Sequence, residues 1–103
     1  MLGVAAVLAW AGLGADPQGK TEDVTISGTS FSPATVNIHV GDSVLWTNAD
    51  DRDYTVVAND GSFNSGNISS GKTYERKFTK AGSFSYCCKY HPRMKGTVVV
   101  AAK

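Results

Sequence analysis

Three side chains that bind soft metal ions recur at every third position near the end of the chain. They are a thiol, an imidazole and a thioether, supplied by Cys88, His91 and Met94. Copper prefers such soft and borderline donors, whereas magnesium and calcium prefer oxygen ligands. Donors this close in sequence need only one tight loop to meet. The spacing therefore predicts a metal-binding loop, and it limits the fold to one that can hold such a loop rigidly.

The residues around these donors indicate a loop between two strands. Pro92 fixes its own φ angle and lacks a backbone N–H, and Gly96 gives the chain freedom to turn back. Runs rich in aromatic and β-branched residues flank the loop. We therefore predict strands over 82–88 and 96–102.

Short runs with alternating apolar residues fill most of the remaining chain. Val24 and Ile26 alternate in one run, and Val36 and Ile38 alternate in another, where His39 is out of phase and should face away from the core. Clusters of Gly, Asn, Asp and Ser separate the runs. Because no stretch after residue 16 has a helical period, seven or eight strands and an all-β sandwich are predicted.

Length and composition limit the function. The 103 residues suit one domain, and a formal charge of +1 disfavours nucleic acid as the main partner, because phosphate binding needs a basic excess. We find no nucleophile beside a base, no phosphate-binding glycine motif and no paired carboxylates in a plausible pocket. The sequence therefore favours a protein that is not an enzyme and has no small-molecule substrate.

The first fifteen residues are uncharged and apolar, and the chain turns polar at Asp16. This resembles the apolar part of a secretory signal, although the basic start is missing. There are two alternatives: the segment is retained as a short apolar anchor, or it forms a helix packed on the domain. It is too short to span a bilayer as a helix. We predict a domain over 16–103 that is periplasmic or secreted and touches a membrane only through an uncleaved 1–15 segment.

The two cysteines are adjacent, which disfavours a disulfide, because a vicinal pair needs a distorted peptide bond. Neighbouring side chains on a strand point to opposite faces, so Cys87 and Cys88 should not both reach one metal. Cys87 is predicted to be a small buried residue or an exposed thiol. A dithiolate site with His91, suited to zinc or Cu(I), is the alternative.

The segment from Tyr86 to Gly96 resembles the ligand loop of the cupredoxin (blue copper) family, with short spacings similar to the amicyanin branch of the amicyanin and plastocyanin group. Phe31-Ser32-Pro33 and Trp46-Thr47-Asn48 are also similar to family signatures. The resemblance covers residues 21–102. It implies a Greek-key β-sandwich that carries copper and exchanges electrons with a redox partner protein.

The resemblance also implies a second histidine ligand, eight residues after the strand tryptophan. Counting from Trp46 leads to Tyr54, followed by the expected Thr55. A phenol is a hard donor with a pKa near 10, so Tyr54 is either a fourth ligand or a residue that fills the ligand space. Asn48 resembles the family asparagine that ties the two ligand-bearing segments together, and its other interpretation is an ordinary turn residue.

Three functions are compatible with this sequence. The first is one-electron transfer through a modified type 1 copper site formed by Cys88, His91, Met94 and Tyr54. The second is Cu(I) binding or trafficking, for which three soft ligands suffice, and the third is a metal-free interaction module. For a redox carrier, the basic residues Lys89, Arg93 and Lys95 around the loop predict a partner that is acidic at its docking site.

Overall fold

The computed structural model describes residues 19–102, which form eight strands and no helix. In chain order the strands are β1 Thr21–Ser27, β2 Ser30–Ser32, β3 Thr35–His39, β4 Ser43–Asn48, β5 Val57–Ala58, β6 Thr73–Lys77, β7 Gly82–Cys87 and β8 Lys95–Ala101. Over the described range the chain has no helix of the length and apolarity needed to cross a membrane. The predicted 1–15 segment lies outside the described residues.

The strands form two four-stranded sheets. One has the order β2-β1-β4-β6 and the other the order β3-β8-β7-β5. The pairs β1 with β4 and β3 with β8 are parallel, and the remaining neighbours are antiparallel. This confirms the predicted all-β sandwich and its number of strands.

The core lies between the sheets and follows the alternation in the sequence. Val24 and Ile26 on β1, and Val98 on β8, are fully or almost fully buried, while their sequence neighbours are exposed or half-buried. At the centre, the ring of Trp46 meets that of Tyr86 edge to face, with 5.3 Å between centroids. Burying each such side chain stabilises the fold by roughly 1.5–3 kcal/mol, so the two-residue period determines which faces meet.

Strand bounds differ from the sequence pattern at three places: the β-rich run 54–58, and the two strands predicted on either side of the metal-binding loop. The run 54–58 gives only the two-residue β5, because Tyr54 makes an isolated bridge to Ile68 on another segment rather than joining β7. At the predicted metal-binding loop, β7 ends at Cys87 and β8 begins opposite it at Lys95. Lys95 therefore belongs to the sheet, and the loop is one residue shorter at that side than predicted.

Gly96 has a role that differs from the predicted one. It lies within β8, opposite Tyr86, and is not among the glycines with positive φ, so the chain does not turn there. A Cβ atom at this position would overlap the ring and hydroxyl of Tyr86. Glycine is needed at this position because the aromatic ring of the neighbouring strand lies against the backbone.

The sandwich has two distinct ends. We call the end that holds the loop 88–94 the ligand end; β4 finishes there, and β7 and β8 meet there. The opposite end, where β6 finishes and β7 begins, we call the far end. At the far end Phe78 packs against Phe84, with ring centroids 5.6 Å apart.

Candidate metal centre

The loop between β7 and β8 is closed by two backbone hydrogen bonds. The N–H of Cys88 donates to the carbonyl of Met94 at 3.3 Å, and the N–H of Met94 donates to the carbonyl of His91 at 2.8 Å. Cys88 and Met94 are buried, and His91 is half-buried. The three predicted ligands therefore lie on one compact loop, with both sulfur-bearing side chains directed into the protein.

The sulfur of Cys88 is held by a residue from a distant segment. It accepts the backbone N–H of Thr55 at 3.4 Å and lies 3.8 Å from the hydroxyl of the same residue. That hydroxyl also accepts the N–H of Lys89 at 2.8 Å. Contacts of this kind fix the orientation of a metal ligand. This role of Thr55 is not predictable from residue type or periodicity, and the available signal is its place directly after Tyr54 in the matched pattern.

Tyr54 is fully buried, and its hydroxyl group is occupied by other contacts. The hydroxyl donates to a carboxylate oxygen of Asp50 at 2.6 Å and accepts the N–H of Thr29 at 3.2 Å. The same Asp50 oxygen accepts the N–H of Gly28 at 3.0 Å. The ring of Tyr54 lies beside that of His91, with 5.5 Å between centroids. Tyr54 thus adjoins the candidate centre through its ring while its oxygen is bonded to Asp50.

The charges around Tyr54 stabilise its neutral form. Burial raises the pKa of the Tyr54 phenol, and the hydrogen bond to Asp50 raises it further. The bond from Tyr54 is in turn the largest influence that holds the pKa of Asp50 well below its usual range, followed by the backbone N–H of Asp51. At neutral pH the pair is therefore a protonated phenol and an ionised carboxylate.

Asn48 is fully buried and uses both ends of its amide. Its nitrogen donates to the carbonyls of Arg52 at 2.7 Å and Ile68 at 2.8 Å, and its oxygen accepts the N–H of Asp50 at 2.9 Å. Asn48 thereby supports the Asp50 loop and the segment that pairs with Tyr54. The side-chain bond that joins the Tyr54 segment to the Cys88 loop comes from Thr55 instead.

Both cysteines are free thiols, and they differ in environment. Cys87 is half-buried and pairs with Val57 and Lys95 in its sheet, whereas Cys88 is fully buried. The alternation of burial along β7 places the Cys87 side chain on the outer face of the sheet. A dithiolate site would need the strand to bulge at this point.

A surface pocket of about 420 Å³ lies over the loop at the ligand end. It is lined by Thr29, Tyr90, His91, Pro92, Arg93 and Met94. Tyr90 is 43% exposed, and its hydroxyl donates to the side-chain oxygen of Asn67. The pocket gives the half-buried imidazole of His91 a partly apolar surround at the protein surface.

The family model described as the cupredoxin-like domain matches residues 1–100. This chain belongs to the cupredoxin family. Proteins of similar sequence include amicyanin-alpha of Methylorubrum extorquens, which is 36% identical over 82% of this chain and 74% of that protein. The chloroplastic plastocyanin of Tetradesmus obliquus is 35% identical over 68% of this chain and 57% of its own length. Amicyanin of Paracoccus denitrificans is 29% identical, over 75% of this chain and 63% of that protein.

Solved cupredoxin structures superpose on most of the domain. A purple cupredoxin from Nitrosopumilus maritimus has a TM-score of 0.70 at 28% identity and covers 78% of this chain and 99% of that chain. An oxidised amicyanin mutant has a TM-score of 0.73 at 27% identity, over 77% of this chain and 80% of that chain. The resemblance to the amicyanin and plastocyanin group is therefore confirmed in sequence and in fold.

The donors of this cupredoxin domain are suited to a soft metal ion. Among residues 19–102, no three side chains of the types His, Cys, Asp and Glu form a candidate metal-binding group. Cys88 and His91 are the only proposed ligands of those types, and the third donor, Met94, is a thioether. Two sulfurs and one imidazole fit copper, whereas they do not fit magnesium or calcium.

Proposed function

We propose that this chain is an electron-transfer protein with a modified type 1 copper site, in which Cys88, His91 and Met94 bind the metal. The observation that carries the proposal is the buried Cys88 sulfur, which accepts the N–H of Thr55 and lies in the same closed loop as His91 and Met94. The similarity to amicyanins and plastocyanins supports it. When bound, copper would supply reversible one-electron chemistry.

The protein would contribute rigidity and exclusion of water. The hydrogen bonds from Thr55 hold the Cys88 sulfur, and the bond from the Met94 N–H holds the loop at His91. Because these bonds involve backbone groups of a packed sandwich, the ligand positions do not depend on a bound metal to be formed. A carrier of this kind catalyses no reaction of its own, so we propose that the protein is not an enzyme.

We propose that Tyr54 stands at the position where the family resemblance implies a histidine, and that it closes the site without binding the metal. To act as a ligand, its oxygen would have to give up the proton that it donates to Asp50. Burial and Asp50 both raise its pKa, so the phenol stays protonated at neutral pH. Its ring instead covers one side of His91.

This arrangement also favours a second function, the binding or trafficking of Cu(I). If the oxygen of Tyr54 remains bonded to Asp50, three soft or borderline donors are left, and these suffice for the reduced ion. The two functions differ in whether the oxidised metal is also held.

The test is to add Cu(I) or Cu(II) to the purified protein, then measure bound metal and visible absorption through cycles of oxidation and reduction. We expect one equivalent of copper and an absorption band that disappears on reduction and returns on oxidation. A colourless complex that loses copper on oxidation would assign the trafficking function instead. A protein that retains no copper in either state would refute both and leave the interaction module.

We further propose that the domain over 16–103 acts in the periplasm or as a secreted protein, after export directed by the apolar 1–15 segment. If that segment is not removed, we propose that the protein contacts a membrane only through it. The proposed partner is a redox protein rather than a nucleic acid or a small molecule.

The charge around the loop predicts how that partner is recognised. Lys89, Arg93 and Lys95 are exposed at the ligand end, beside His91. We expect the association rate with an acidic redox partner to fall about tenfold or more as ionic strength rises from low to physiological values. Stopped-flow electron transfer at several salt concentrations measures this. A Lys77→Gln variant, which changes an exposed lysine where β6 finishes at the far end, is the control. A rate that does not change with salt would contradict the prediction.

A further inference from the structure

A second cavity lies at the far end of the sandwich, away from the candidate metal centre. Its volume is about 200 Å³. It is lined by Asp60, Ser62, Arg76, Phe78, Thr79, Lys80 and Phe84. We call it the far-end recess. It combines two cationic side chains, two hydroxyl groups and two aromatic walls, and none of these residues takes part in the proposed copper site.

Arg76 is the central residue of the far-end recess. Its guanidinium lies over the ring of Phe63, with its central carbon 5.1 Å from the ring centroid, and over that of Phe78 at 5.8 Å. Its Nε atom is buried and has no hydrogen-bond partner within the described part of the chain. Arg76 as a whole is half-buried and lines the recess, so the two rings hold its guanidinium while part of the side chain stays accessible there.

The carboxylate at the rim accepts a hydrogen bond from a neighbouring residue. Asp60 accepts the backbone N–H of Ser62 at 2.8 Å. Hydrogen bonds from Ser62 lower the pKa of Asp60, and the charge of Lys80 contributes a smaller lowering. Asp60 therefore offsets part of the charge of Lys80.

We propose that the far-end recess binds a small aromatic carboxylate. A guanidinium forms paired hydrogen bonds with a carboxylate, and the stacking on Phe63 and Phe78 already fixes its plane, so little side-chain entropy is lost on binding. The rings of Phe78 and Phe84 would contact the apolar body of the ligand. The volume is smaller than that of usual drug-sized sites, which limits the ligand to about the size of benzoate.

The experiment is an NMR titration of the full chain with benzoate, with the neutral isostere benzamide as the matched ligand control. We expect benzoate to shift the amide signals of Ser62, Lys80 and Phe84 in a saturable way, with a Kd on the order of 1 mM. Benzamide should bind at least about tenfold more weakly, because it lacks the charge that Arg76 recognises. Equal affinities for the two ligands, or no saturable shift, would overturn the proposal.

Variants of the protein provide a second test. Arg76→Gln should abolish benzoate binding, and Lys80→Gln, at an exposed position that the core does not need, should weaken it severalfold. Lys72→Gln, an exposed lysine outside the recess, should leave the affinity unchanged. If Arg76→Gln fails to fold, the measurements on Lys80→Gln and with benzamide still test whether the recess recognises a carboxylate. Benzoate affinity that is unaffected by the Lys80→Gln change would count against the proposal.

Discussion

Replacing Cys88 with alanine should abolish tight copper binding, whereas Cys87→Ala should leave the affinity almost unchanged. Cys88 is the buried thiol whose sulfur accepts the N–H of Thr55, while Cys87 is directed to the outer face of the sheet. The expected loss for Cys88→Ala exceeds about 100-fold, which is more than the loss of an outer hydrogen bond produces. Competition with a chromogenic Cu(I) chelator measures both affinities.

The two cysteine variants control for each other, because each removes one of two thiols at adjacent positions. Thermal unfolding of the metal-free proteins should be recorded in parallel, since Cys88→Ala leaves a small gap in the core and is expected to lower stability somewhat more. Equal losses of copper affinity from both substitutions would show that Cys87 also reaches the metal. The dithiolate site would then replace the site proposed here.

Replacing Tyr54 with histidine should produce an intense visible absorption band on addition of Cu(II). If position 54 corresponds to the second histidine, as we propose, the substitution supplies an imidazole there and completes the set of two histidines and one cysteine that is typical of blue copper sites. It also removes the hydrogen bonds to Asp50 and Thr29 and a large buried ring, so the free energy of unfolding should fall by about 2–4 kcal/mol. Absorption titration and chemical denaturation measure the two effects.

Tyr54→Phe is the matched control for this experiment. It keeps the ring beside His91 and removes only the hydroxyl, which donates a hydrogen bond to Asp50. We expect it to keep the copper properties of the unmodified protein, with a stability loss of about 1–2 kcal/mol from the broken hydrogen bond. If Tyr54→Phe changes the copper spectrum, the phenol oxygen is a ligand. If a folded Tyr54→His protein has an unchanged spectrum, position 54 does not face the metal.

The strands were predictable from sequence where burial alternates along a run. Val24 and Ile26 on β1, and Val36 and Ile38 on β3, follow this rule, and His39 is exposed as expected. The rule fails for the run 54–58, since each of Tyr54, Thr55 and Val56 is buried and the alternation is lost. Those residues pair with the distant segment at Ile68 and with the Cys88 loop, and a local sequence pattern does not reveal such distant pairing.

The candidate site was likewise predictable from sequence only in part. Its three proposed ligands are close in sequence, so the spacing alone indicated a common loop. The support from Thr55 crosses 33 residues to reach Cys88, and the contact of Tyr54 with Thr29 crosses 25. The role of Gly96 is also not predictable from its own neighbours in sequence, because the need for glycine comes from the ring of Tyr86 on the next strand. Contacts made by the packing of the two sheets require the structure.

The position of β8 determines when this domain can fold. It is the last of the described strands in chain order, yet it lies inside its sheet, between β3 and β7, and its parallel pairing with β3 joins Thr97 to Thr35. Until β8 leaves the ribosome, β3 has no neighbour in its sheet and the loop that carries the proposed ligands has no second strand to hold it. Such distant pairings are slow to form. The domain therefore reaches its native state only after β8 has been synthesised, and it remains incompletely folded until then.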